Sequence, residues 1–119
     1  MHFVMQPQEI EVWFVLPAIR RELARSMINY GLTQKKIAER LGVTDAAISQ
    51  YMNSKRAKEI EFDQELNKKI KESAKRISNS RYNLIEEVQE ICDLFKKRKL
   101  MCKVHKKHGA TCKICLCQK

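Results

Sequence analysis

Apolar residues in this chain recur at steps of three and four, and nowhere do they alternate with polar residues over a sustained stretch. That period predicts an all-α protein. Ile19, Leu23, Ser26, Met27 and Tyr30 fall at helical spacing, and Gly31 ends their helix. Residues 9–15 predict a shorter helix upstream, and residues 1–8 read as an extended or frayed arm. Pro17 has no backbone N–H, so Leu16 and Pro17 mark either a helix start or a kink. Thr33 offers a cap for a helix over 34–41, which Gly42 ends, and Thr44 caps another over 45–52. Asn53 and Ser54 close that helix, and Lys55, Arg56, Ala57 and Lys58 form a basic loop. Phe62, Leu66, Ile70, Ala74 and Ile77 mark one further helix; after a break at Asn79 and Ser80, Leu84, Val88, Ile91 and Phe95 mark another. The chain divides accordingly into an N-terminal helical part (1–60), a second helical region (61–100) and a cysteine-rich tail (101–119).

The segment over 34–53 has the features of two helices crossing steeply through a short turn. Ala38 is small enough for close approach, and Gly42 supplies a turn where a positive φ is needed. Ile37, Leu41, Val43, Ile48 and Tyr51 form a shared apolar wedge. Asp45, Ala46, Ser49, Gln50 and Asn53 share the opposite face of the second helix, with Thr44 at its tip. That face is short, polar and free of bulky aliphatics, as a helix in a major groove requires. Gln50 and Asn53 can read adenine, Ser49 can bond to base or phosphate, and Ala46 can touch a thymine methyl. Gln34, Lys55 and Arg56 are placed for phosphate. A plain helical hairpin satisfies the wedge but explains neither the polar face nor the basic loop.

Charge points the same way. The chain has 24 Lys+Arg against 14 Asp+Glu, a formal +10, which suits a polyanion. No apolar run approaches the ~20 residues needed to span a bilayer, and no secretory signal opens the chain, so a cytoplasmic setting is expected.

Over 34–57, the pattern Q-x-x-I-A-x-x-L-G-V-T-x-x-x-I-S-x-Y resembles the Xre/lambda-repressor-like helix-turn-helix family. The longer run over 12–57, including Leu16, Pro17, Ala18, Ile19, Arg20, Arg21, Glu22, Leu23 and Ala24, is similar to a group of predicted archaeal transcription regulators. The resemblance implies a DNA-binding fold and covers the first half of the chain; it extends more loosely to the cysteine-rich end.

That end holds Cys92, Cys102, Cys112, Cys115 and Cys117, all five cysteines of the chain, with His105 and His108 among them. After Asp93 there is no acidic residue. In a cytosolic setting, cysteines this crowded suggest metal before disulfides. Cys112 and Cys115 form the C-x2-C pair that grips one tetrahedral ion or two corners of a cluster. Nearby lysines offset the charge of several thiolates and lower thiol pKa values. An all-cysteine set leans toward an iron–sulfur cluster, four-iron four-sulfur favoured; the histidines, read as surface residues, keep zinc as the alternative. Cys102, Cys112 and Cys115 are the first ligands. If a helix ran unbroken from Cys92 to Cys102, their Cα atoms would stand about 15 Å apart. Chain geometry therefore favours Cys117 as the fourth ligand, whereas the family resemblance implies Cys92. Cys92 also fits a small buried residue beside Ile91 and Phe95.

These features predict a non-enzymatic, dimeric regulator: residues 1–60 bind a pseudo-palindromic operator in double-stranded DNA, the helical region 61–100 pairs two copies, and the tail 101–119 senses redox, oxygen, iron or sulfur status. Competing readings are a constitutive DNA-binding protein with a structural zinc site, and an RNA-binding or antitoxin-type module. No paired carboxylates, nucleophile–base pair or Gly-rich phosphate loop points to an enzyme.

Overall fold

The computed structural model describes residues 6–54, 60–79 and 83–97, and all regular structure among them is helical. Helix α1 (Pro7–Ile10) passes through a π turn (Glu11–Val15) into α2 (Leu16–Asn29). Then come α3 (Gln34–Leu41), α4 (Asp45–Asn53), α5 (Gln64–Asn79) and α6 (Leu84–Lys97).

The N-terminal reading needs correcting. Pro7 and Gln8, expected in an arm, are already helical. Proline is tolerated in a first turn, and the Glu9 carboxylate reaches back to accept the Gln6 N–H at 3.0 Å. Residues 1–5 lie outside the described residues. At Leu16 and Pro17 an α-helix does start, with the proline in its first turn, but it follows directly on the π turn without a break. Pro17 cannot donate to the carbonyl of Trp13, and its ring crowds that group; the helix widens into the π turn just upstream and continues, with Val15 itself helical at φ −74°, ψ −51°.

α2 is the central post, packed against α3, α4, α5 and α6. It buries Ala18, Ile19, Leu23, Ala24 and Met27 completely, and each large side chain among them contributes about 1.5–3 kcal/mol. Leu66, Ile70 and Ile77 of α5 and Ile91, Cys92 and Phe95 of α6 join the same core. Asp63 caps α5, its Oδ1 accepting the Leu66 N–H at 2.9 Å. The Phe62 ring meets Phe95 edge-on with centroids 5.8 Å apart.

The apolar stripes on α5 and α6, in the region expected to pair two copies, are covered within the chain. Leu66, Ile70, Ile77, Ile91 and Phe95 are all at most 1% exposed, while Phe62, Leu84 and Val88 pack half-buried against them. Apolar surface left open lies elsewhere, at Val12, Trp13, Ile28, Tyr30 and above all Ile85, 83% exposed. Charged pairs brace the outside of the α5–α6 hairpin. Arg76 grips Glu87 with two bonds, Nε to Oε1 at 2.7 Å and Nη2 to Oε2 at 2.9 Å, and Lys69 meets Glu90 at 2.7 Å. Lys96 of α6 pairs with Glu11 of the π turn at 3.0 Å.

Candidate nucleic-acid interface

A glycine with positive φ precedes each of the two crossing helices. After α2, Gly31 stands at φ +90°; its N–H bonds Ile28 O and the Leu32 N–H bonds Met27 O. After α3, Gly42 stands at φ +67°; its N–H bonds Glu39 O at 3.3 Å and the Val43 N–H bonds Ala38 O at 3.0 Å. Both are Schellman endings, which satisfy terminal carbonyls and turn the chain sharply. The next helix starts on a threonine each time. Thr33 Oγ1 accepts the Lys36 N–H at 3.2 Å, and Thr44 Oγ1 accepts the Ala47 N–H at 3.1 Å.

Inside the crossing, Ile37, Ala38, Leu41 and Ile48 are buried, with Val43 and Tyr51 half-buried against them. The wedge is as the sequence indicates. Arg20 of α2 supports α4 from behind: its guanidinium lies 5.9 Å from the Tyr51 ring centroid, and Nη1 stands 3.5 Å from the Tyr51 hydroxyl.

Thr44, Asp45, Ala46, Ser49, Gln50 and Asn53 all face outward and are exposed. Their hydrogen bonds divide them by role. Gln34 Nε2 donates to Ser49 Oγ at 2.8 Å and to Asp45 O at 3.1 Å, so both amide hydrogens are spent on α4. Gln34, expected at phosphate, is in this structure a strut that sets the angle between the two helices. Asn53 Nδ2 donates to Ser49 O at 3.0 Å, one turn back on its own helix. That bond spends one of the two Asn53 amide hydrogens and leaves the other, with Oδ1, unspent. Gln50 has no partner among the described residues, so both ends of its amide are available at no cost in protein bonds. Lys55 and Arg56, the expected phosphate contacts, lie outside the described residues.

The helix-turn-helix family model matches residues 23–62, from the middle of α2 to the entry of α5. The chain carries a helix-turn-helix domain of that family. That match supports a DNA-binding transcription regulator. No curated protein and no solved structure matches the chain. No helix among the described residues is long and apolar enough to cross a membrane.

Of the cysteines, only Cys92 is described. It is 2% exposed on α6 and forms part of the wall of a groove shared with Glu11, Leu16, Arg20, Leu41, Leu84, Ile85 and Val88. Burial, then the nearby Glu11 carboxylate, pushes its thiol up to about 12 against the opposing pull of Lys96. Cys102, Cys112, Cys115 and Cys117 lie outside the described residues, as do His105 and His108. Among the described residues no group of three potential metal ligands gathers.

Sequence reasoning missed the bracing role of Gln34 and the Arg20–Tyr51 contact. A polar residue right after a capping threonine was visible, but its target on α4 depends on the crossing angle.

Proposed function

We propose that the chain is a sequence-specific, homodimeric regulator in the cytoplasm that reads a pseudo-palindromic operator with α4. Its cysteine-rich tail holds an iron–sulfur cluster that reports redox, oxygen, iron or sulfur status. The observation that carries the reading function is the uncommitted Gln50 amide on an exposed polar face whose angle Gln34 fixes. Dimerisation is supported by the open apolar surface at Ile85, beside Leu16, Leu84 and Val88. A two-fold pair through that surface sets two α4 helices at a fixed separation, and half-sites about one helical turn apart follow.

The cluster is supported by its donor set: Cys102, Cys112 and Cys115, with Cys92 or Cys117 as the fourth thiolate. The two candidates make different demands. Ligation by Cys92 needs its groove to open and its thiol to ionise against burial, whereas Cys117 asks nothing of the described residues. Such a cluster supplies a one-electron redox centre whose loss or oxidation alters the tail.

The test is the visible spectrum and metal content of anaerobically purified protein, with operator binding at fixed salt. Brown protein with broad absorption, lost in a Cys112→Ser, Cys115→Ser double variant, is expected. Operator affinity should change at least about tenfold between anaerobic and air-exposed protein, a usual size for coupling between two sites. Colourless protein carrying stoichiometric zinc, with unchanged binding after air exposure, replaces the sensor with a structural site. Comparing Cys92→Ser with Cys117→Ser identifies the fourth ligand.

A further inference from the structure

Helix α5 sorts its cations onto two flanks. On one, Lys69 and Arg76 are spent on Glu90 and Glu87 of α6. On the other, Lys68, Lys71 and Lys75 stand exposed at steps of three and four, with no ion pair among the described residues. With Gln64 they form one row along the helix, about 16 Å from end to end. The row lines a groove with Tyr30, and Glu72 is the one carboxylate in its wall. Tyr30 ties this groove to the reading domain. Tyr30 donates its hydroxyl to the Lys71 carbonyl at 3.3 Å, and Gln34, which braces α4, follows four residues after Tyr30.

We propose that the Tyr30–Lys68–Lys71–Lys75 groove is a second DNA surface, which holds the phosphate backbone flanking the operator without reading sequence. Nothing else among the described residues pairs with these three ammonium groups. A duplex strand offers one negative charge per about 3.4 Å of axis, so a row of this length spans several phosphates. The proposal rests on the DNA-binding function of the helix-turn-helix but adds contacts outside the base pairs that α4 reads. Its effect is to extend the footprint and to make binding depend on duplex length.

The experiment uses the full chain and an operator selected from a random duplex pool. Wild type and a Lys68→Ala, Lys71→Ala, Lys75→Ala variant are titrated against the operator alone and against the operator with about ten added base pairs on each side, over a range of salt. All three side chains are exposed, and thermal melts confirm that the variant stays folded. Wild type should prefer the longer duplex, with a steeper salt dependence. The variant should lose that preference, binding the long duplex about three- to tenfold more weakly, while the log–log salt slope falls by about two to three and the short duplex binds as before. Equal loss on both duplexes, or no loss on either, overturns the proposal; the second result leaves the row to an acidic protein partner. Failure of wild type to select any duplex contradicts the reading function instead, so the two failures are distinguishable.

Discussion

The pairs α3–α4 and α5–α6 are both held by apolar contact with α2, yet they spend their polar groups in opposite ways. In α5–α6, charges close the structure: Arg76 with Glu87, Lys69 with Glu90, and Lys96 with Glu11. In α3–α4, polar groups set an angle and then stop. Gln34, Thr33 and Thr44 hold the crossing, and the outer face keeps Gln50 unengaged. One pair is braced for stability; the other is rigid behind and open in front. A face that must bond to DNA has to leave its donors and acceptors unspent, because each bond already made inside the protein must be broken first.

Substitutions can break this contrast. The largest effect is expected from the shared core. Leu66→Ala, at a fully buried position, should cost about 2–5 kcal/mol in urea unfolding and lower operator binding only through the unfolded fraction. Ala38→Leu should cost about 1–3 kcal/mol and, unlike Leu66→Ala, abolish operator binding in the protein that remains folded, because it forces α3 and α4 apart. Gly42→Ala comes next, at about 1–2 kcal/mol. An added Cβ there meets only Leu84 Cδ2 at 3.8 Å, so the cost is that of the positive φ and not of crowding. Gln34→Ala should cost about 0.5–1.5 kcal/mol of stability and weaken operator binding as well. A variant that loses stability but binds normally would show that the strut does not set the angle.

The smallest effect is electrostatic. The Arg76 guanidinium holds the Glu87 carboxyl below its ordinary value of 4.5. Its contribution is present above that pH and is lost as pH falls through the lowered folded-state value. Thermal melts should show wild type losing stability below about pH 4.5 more steeply than Glu87→Gln; coincident profiles would mean the pair contributes nothing. Arg76 is half exposed, so screening keeps the effect small.

The two regions also differ in how far the sequence revealed them. Caps, glycines and wedge in α3–α4 are local signals, each legible from residue type and spacing, and Thr33, Gly42 and Thr44 stand where those signals put them. The α5–α6 stripes were legible as helices, but not their partner. Periodicity shows that a face is apolar, not whether α2 or a second copy covers it, and here α2 and the other helices cover most of it. The π turn was hidden because it depends on where Pro17 falls in a continuing helix. The bonds of Gln34 to Ser49 and Asp45 were not legible, because its reach to α4 appears only once the helices cross.

The central claim is that α4 reads bases through Gln50. The direct test measures wild type and Gln50→Ala against the selected operator and a scrambled duplex of equal length, at one salt concentration. The specific-to-nonspecific affinity ratio should fall by about 5- to 150-fold, corresponding to about 1–3 kcal/mol for one bidentate contact, with nonspecific binding and thermal stability unchanged. An intact ratio would contradict the account and move the reading face elsewhere.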